Sequence, residues 1–261
     1  MSDRSRSALV LGGVSWNTMV YVDRGSNLAR DVREAIGSAG AGEAMNLASL
    51  GWDVDLWAVL GTDEAGARIR AGLDEFGVDL HARVVEGPSE RHVNLMYPDG
   101  SRDSIMSLPP THDAIEPDLD LIGGLMEPAD LVSIVIKEHC RPFLALAREQ
   151  GKPTWIDLHD WDGTNPHHVD FFEAADHLFM SSASMPEWRD FLDRRSNLRA
   201  ETVVVTHGHL GASGRTAGGD WVDVPVTRAE RVVDTNGAGD AFLAGFATSW
   251  LTEADIEAAL T

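Results

Sequence analysis

Six short apolar runs, separated by segments of helical period, constrain this chain more than any other feature of its sequence. They fall at residues 8–11, 54–60, 131–136, 154–158, 177–180 and 202–206, and each has the length of a buried strand. Strands that alternate with helical stretches read as an α/β sheet covered by helices on both faces. The clearest helix opens near Asp63. Ala65, Ile69, Leu73 and Phe76 form one apolar stripe, and Gly77 follows where a helix C-terminus favours a left-handed residue. At 261 residues a single principal domain is expected over 1–261.

One stretch breaks the rhythm. Residues 93–97 and 102–106 flank Pro98-Asp-Gly-Ser101, and the Asp99-Gly100 pair suits a hairpin turn. With the polar stretch 21–33 this predicts a small β subdomain, drawn from about 17–38 and 80–107, that projects from the sheet.

Charge and cysteine content narrow the partners. A net charge of −21 opposes nucleic acid and anionic membranes over most of the surface. A phosphate-bearing ligand stays compatible with it, because a local set of backbone N–H groups acts at short range. Cys140 is the single cysteine, which excludes an intrachain disulfide and fits a reducing cytoplasm. Residues 1–7 are polar and lead into the first apolar run without the pattern of a signal peptide, and no run approaches the length of a membrane span.

The chemistry concentrates in Asp234-Thr-Asn-Gly-Ala-Gly-Asp240. The residues after it, with Phe242, Phe246 and Trp250 on one stripe, are apolar nearly all round, which predicts a buried helix whose N-terminus points into the protein. Gly237, Ala238 and Gly239 can close their N–H groups on an anion there. Asp240 lies in the first turn, where the helix dipole is expected to keep it ionised and a weak base. A weak base suffices for phosphoryl transfer, which rests on positioning and charge neutralisation. The plainer reading is a tight loop and a helix cap.

Three further segments change that balance. Leu60-Gly-Thr-Asp-Glu-Ala-Gly66, Phe76-Gly-Val-Asp79, and Ala41-Gly-Glu-Ala-Met-Asn46 followed by Leu50-Gly51 stand in order before the 234–240 segment. Together the four resemble the motifs of the ribokinase-like (PfkB) carbohydrate kinase family, whose second signature reads Asp-Thr-x-Gly-Ala-Gly-Asp. The resemblance implies a three-layer α/β fold, with a central mostly parallel sheet flanked by helices and a small β lid. It implies an ATP-dependent kinase that phosphorylates a hydroxyl of a sugar, sugar derivative or nucleoside, with Mg2+ on the phosphates. Asp240 is then the catalytic base, and the amides of Gly237, Ala238 and Gly239 are the anion hole. The stretch from Val203 resembles the nucleotide-holding strand and loop and nominates Thr206, Gly208 and Gly211. The acceptor is expected at Ser15, Asn17, Gly42 and Asn46, although the Asn46 amide can also satisfy its own helix. Asp234 and Asn236 match ligands of a monovalent cation, and a homodimer through the lid is a further expectation.

Departures from the family are also legible. Asn17 stands where an aspartate is common, and Ala41 replaces the first glycine of a pair. Ser181-Ser-Ala-Ser184 replaces the Asn-x-x-Glu element tied to magnesium, which predicts a lower rate or a displaced metal. Relatives continue beyond Thr261 over adenine, so a truncated chain or an open adenine pocket is expected. Two alternatives remain. One is a non-catalytic ligand-binding relative. The other is a metal-dependent hydrolase using Asp157-Leu-His-Asp-Trp-Asp162 and His207-Gly-His209, although His159 and Asp160 equally suit the border of the acceptor pocket. No Gly-x-x-x-x-Gly-Lys-Ser/Thr or Gly-x-Gly-x-x-Gly segment supports a P-loop or dinucleotide enzyme.

Overall fold

The computed structural model describes residues 5–108, 115–195, 198–227, 232 and 234–261. In chain order its strands are β1 (Ser7–Leu11), β2 (Ser15–Val22), β3 (Ala29–Gly37), β4 (Asp53–Gly61), β5 (Val78–Val85), β6 (Arg91–Met96), β7 (Arg102–Leu108), β8 (Leu131–Ile134), β9 (Thr154–Asp157), β10 (His177–Ser181), β11 (Thr202–Thr206), β12 (Ala212–Thr216) and β13 (Val222–Val224). Its helices are α1 (Ala39–Ser49), α2 (Glu64–Glu75), α3 (Leu119–Met126), α4 (Arg141–Gln150), α5 (Val169–Ala174), α6 (Trp188–Asp193), α7 (Ala238–Glu253) and α8 (Ile256–Leu260).

Nine strands make one sheet in the order β13-β12-β11-β10-β9-β8-β1-β4-β5. From β11 to β5 every neighbour is parallel, while β12 and β13 close one edge antiparallel. Parallel pairing follows from the crossovers, which need a helix between strands and therefore bury both faces. The alternation of side chains then divides the core. Ala8, Val10, Val54 and Leu56 face α1, α2, α7 and α8, whereas Leu9, Leu11, Trp57 and Val59 face α3, α4, α5 and α6.

The second sheet has four strands in the order β3-β2-β6-β7. The Asp99-Gly100 turn forms as the sequence predicts, with Gly100 at φ 81. Residues 78–85 were expected to reach into this subdomain from residue 80 onward, but as β5 they form the edge of the large sheet, paired with β4. Their apolar Val78 and Leu80 cover the same core as Leu73 of α2, which holds the strand to the main body.

Helix α7 corrects another expectation. Its apolar residues do not bury it all round: Leu243, Ala244, Phe246, Ala247 and Trp250 pack inward, while Ala241, Gly245 and Leu251 are exposed. A helix laid flat on a sheet offers the sheet only one face. Phe246 is the centre of that face, edge-on to Phe179 at 5.2 Å and stacked on Trp250 at 6.1 Å. Phe246→Ala is expected to cost about 3–5 kcal/mol, measured as a lower urea midpoint with an unchanged slope.

Candidate active site

In a parallel sheet all the carboxyl ends lie on one edge, and a ligand crevice opens where the strand order reverses. Here the order reverses at β1, between β8 and β4. Three chain segments converge there. The Gly12-Gly13 pair after β1 meets the start of α1, where the Ala41 N–H donates to the Gly13 carbonyl at 3.2 Å. A Cβ on Gly42, in the first turn of α1, would overlap the carboxylate of Asp240 and stand 2.7 Å from its Cγ. Glycine at 42 therefore makes room for the aspartate.

The N-terminus of α7 is built as a tight turn. Gly237 is its N-cap at φ 75, a left-handed conformation suited to glycine, and among the described residues no side chain caps the helix. Of the three expected anion-hole amides, that of Ala238 donates to the Thr235 carbonyl at 3.2 Å. This end of the helix is not sunk in the core. Residues 234–236, 238 and 239 are exposed at the mouth of the cleft.

Around Asp240 stand three other ionisable groups. Glu43, on α1 beside Gly42, is 1% exposed and accepts a short hydrogen bond from the Ser133 hydroxyl on β8. Asp157 ends β9, and its Oδ2 lies 3.8 Å from where a Cβ on Gly239 would stand. His159 takes φ 53. Its N–H donates to Asp157 Oδ1 at 2.8 Å, and its ring Nδ1 lies 3.2 Å from Asp157 Oδ2.

Burial, with the crowding of charges added to it, perturbs the group. Burial, reinforced by the charges of Asp240 and Asp157, pushes the Glu43 carboxyl up to about 8. Burial and Asp157 push Asp240 up to about 7 against the pull of His159 and Arg102. Asp240 is therefore not held ionised by the helix dipole, as the sequence alone implied; the loss of water outweighs the dipole. Burial disfavours the His159 imidazolium, but Asp157, Asp240 and Glu43 outweigh it and hold the ring up to about 9. Asp157 loses solvation too, yet His159 keeps it below its ordinary value.

The four-stranded sheet reaches this mouth. Tyr21 donates its hydroxyl to Asp234 Oδ2 at 2.9 Å, and Thr235 donates to the Gly100 carbonyl at 2.9 Å. Asp234 Oδ1 accepts from the Asn236 N–H. At the start of β2, Ser15 donates to Asn17 Oδ1 at 2.7 Å, and both side chains are buried. The Asn46 amide donates to the Gly42 carbonyl at 2.8 Å, which is the self-satisfying arrangement. Beside Gly13 lies an ion cluster in which Glu90 receives Lys137 Nζ at 2.9 Å and His92 Nε2 at 2.7 Å.

Thr206 ends β11, two strands from Asp157, and Gly208 and Gly211 shape the turn into β12. A cleft of about 500 Å³ opens next to this turn, lined by Trp188, Arg189, His207, Leu210, Val224 and Pro225 among others. Thus Asp240, Gly42 and Gly239 come together, while Thr206, Gly208 and Gly211 stand farther along the same edge. Glu43, Tyr21, Arg102 and Lys137 were missed. Only Glu43 left a trace in sequence, as a lone charge among the small residues of 39–44.

Two levels of comparison identify the chain. The model of the pfkB family carbohydrate kinases matches residues 6–261, and the chain belongs to that family. An ATP-dependent ribose-1-phosphate kinase of Halopiger xanaduensis is 30% identical, over 97% of this chain and 87% of its own. The acarbose 7(IV)-phosphotransferase of an Actinoplanes species is 29% identical over the same shares. Among solved structures, a microbiome-derived acarbose kinase aligns with a TM-score of 0.87 at 30% identity, over 98% of this chain and 89% of that one. A ribokinase of Arabidopsis thaliana, at 21% identity and a TM-score of 0.78 over 98% and 89% of the two chains, shares the fold. The protein is accordingly an ATP-dependent kinase, a phosphotransferase acting on a hydroxyl of a sugar, sugar derivative or nucleoside. Among the described residues no helix is long and apolar enough to cross a membrane.

Glu43 supplies a test of the packing. Its folded value of about 8 lies above the ordinary 4.5, so its proton favours the folded state. That advantage is complete below about 4.5 and is lost as pH rises through about 8. Glu43→Gln cannot ionise, so its melting temperature relative to the native chain should climb between pH 5 and pH 9, followed by circular dichroism.

Proposed function

We propose that this protein moves the γ-phosphoryl group of ATP onto a hydroxyl of a carbohydrate, with Asp240 as base and the N-terminus of α7 as the anion hole. The observation that carries this reading is the placement of the Asp240 carboxylate against Gly42 at the strand-order reversal, beside an uncapped helix N-terminus. The acceptor oxygen forms its bond to phosphorus as the bond to ADP breaks, and the hydroxyl proton passes to Asp240. A carboxyl raised to about 7 is matched to taking up that proton near neutral pH. The amides of Gly237 and Gly239 receive the phosphoryl oxygens, and that of Ala238 joins them by leaving Thr235.

Gly42 and Asn46 border the acceptor, with Ser15 and Asn17 beneath it. The cluster of buried Glu90 with half-buried Lys137 and His92 beside Gly13 presents polar edges suited to a hydroxyl-rich ligand. The two most informative relatives, a ribose-1-phosphate kinase and an acarbose phosphotransferase, support a sugar or sugar derivative over a nucleoside. Thr206, Gly208 and Gly211 border the nucleotide, with the cleft at Trp188 and His207 on the adenine side. Residues 1–261 act as one kinase domain, and the four-stranded sheet acts as its lid, touching Asp234 and Thr235 through Tyr21 and Gly100.

Magnesium neutralises phosphate charge in this chemistry when it is bound. The segment that replaces the family's magnesium-linked element does not fit that task. The Ser181 hydroxyl accepts from the Ala183 N–H, that of Ser182 is bonded to His207 Nδ1 at 2.8 Å, and no carboxylate stands in the segment. Mg2+ is therefore assigned to ATP itself. For a monovalent cation, Asp234 and Asn236 offer an anionic and an amide oxygen, and the cation would share Asp234 with Tyr21. The need for ATP and the lone buried thiol of Cys140 support a cytoplasmic setting.

Apolar residues also remain uncovered on the lid: Leu28, Val32, Ile105 and Met106 are about half exposed or more. They support a homodimer through this sheet. Sedimentation is expected to show a dimer that Ile105→Glu dissociates; a native monomer removes this part of the reading.

The activity is tested by ATP turnover over ribose 1-phosphate, ribose, acarbose-type oligosaccharides and adenosine. Turnover with a sugar or sugar phosphate is expected, and Asp240→Asn should lower it by about 10²–10⁴-fold while ATP still raises the melting temperature. Silence across the panel with ligand-induced stabilisation would instead favour a binding protein.

A further inference from the structure

The phosphoryl-transfer site contains a histidine that the reaction as described does not use. His159 is locked from two sides. Its own N–H and its ring both engage Asp157, and its carbonyl accepts from the Ser181 N–H of β10 at 2.8 Å. It holds a left-handed backbone at φ 53, an uncommon conformation for a residue with a side chain. Strained residues of this kind persist where the surroundings over-determine them and cluster at functional sites. The pair lines the cleft: Asp157 is 13% accessible and His159 37%, so protein surrounds the imidazole and solvent or a ligand still reaches it.

The elements around it bring it within electrostatic reach of the reacting carboxyl. Asp157 abuts Gly239, Gly239 precedes Asp240, and Asp240 lies against Gly42, next to Glu43. Glu43 in turn is tied to Ser133 on β8, the neighbour of β9. The charged and titratable groups acting on this cleft are Glu43 from α1, Asp157 from β9, Asp240 from α7, and Arg102 from β7. His168, also within electrostatic reach of His159, is kept below its ordinary value by burial and by the neighbouring positive charges. Arg102 belongs to an exposed strand of the lid. His159 belongs to the rigid edge of the large sheet.

We propose that His159, held by Asp157, is a positioning residue that presents a fixed imidazolium to Asp240 and so sets the pH at which the base can act. This rests on the kinase reading above. It also answers the missing carboxylate at Ser181–Ser184, because the site keeps a positive charge of its own beside the transferred group. The imidazolium favours the ionised form of Asp240, ready to accept the acceptor's proton. Without it, burial and the charge of Asp157 leave Asp240 protonated at neutral pH.

Two measurements test this on the full chain. In 15N-histidine-labelled protein without ligand, the ring assigned through His159→Asn should stay protonated beyond pH 8. Asp157→Asn and Asp240→Asn should each lower its midpoint, the former by about one pH unit or more. A ring that titrates at or below 6.5 in the native chain, or that ignores Asp240→Asn, overturns the proposal whether or not the protein turns over ATP. The second measurement is the pH profile with saturating magnesium and ATP. His159→Asn should move the acid limb of kcat upward by about one unit, a roughly tenfold loss near pH 6.5 that disappears by pH 9, with little change in acceptor KM. His159→Gln should behave alike, and serves if the first variant folds poorly. An equal loss at every pH, or a limb that moves only with Arg102→Met, overturns the assignment and leaves the kinase reading intact. Absence of all phosphoryl transfer in the native chain instead defeats the kinase reading, and the ring titration then decides the fate of His159.

Discussion

Three carboxyl groups and one imidazole share the cleft at the carboxyl edge of the large sheet, and their loss of water, sharpened by repulsion among the carboxyls, governs which of them keep their protons. Glu43, Asp157 and Asp240 come from α1, β9 and α7, three elements far apart in sequence. They cannot all carry charge in a space with so little water. The ring of His159 relieves one of them, Asp157, and the other two hold their protons to unusually high pH. A base with a raised value and a nearby acid that stays protonated are the means by which one site handles protons near neutrality.

The fold makes this meeting unavoidable. Parallel strands bring every carboxyl end to one edge, and the reversal of strand order at β1 opens the crevice into which α1 and α7 direct their first turns. Two helix N-termini pointed at one place favour an anion there, which is what a kinase requires of the region between its two substrates. On the proposed reading the acceptor and nucleotide sides differ by position along the edge: Gly13 and Lys137 beside β1 and β8, Thr206 and His207 at β11. The four-stranded sheet meets this mouth through hydrogen bonds at Tyr21 and Thr235, contacts weak enough to break and re-form in the proposed lid role.

Much of this was legible in the chain itself. The strand runs, the helix at Asp63, the Asp99-Gly100 turn and the 234–240 loop each carry a local physical signal: apolar length, a 3.6-residue stripe, a left-handed turn pair, or small residues before an aspartate. The strands β2, β3 and β12 gave weaker signals, since their residues alternate with polar ones or serve an exposed sheet. Asp157 and His159 were visible as a cluster but pointed equally to a metal site, because residue type does not reveal which carboxyls lie opposite.

By itself the sequence determined the α/β architecture and the family of the chain, and it nominated residues 234–240 for phosphoryl transfer, because these rest on local period and on short motifs. Only the tertiary structure decided the state of Asp240. The helix dipole, readable from sequence, argues for an ionised carboxyl. Its burial and the neighbouring charge of Asp157, which depend on distances across the sheet, argue against it and prevail. Tertiary structure also decided that α7 shields one face only, and that Gly42 is needed for the side chain opposite it. Desolvation and steric exclusion are properties of what surrounds a residue, and the surroundings here come from the far end of the chain.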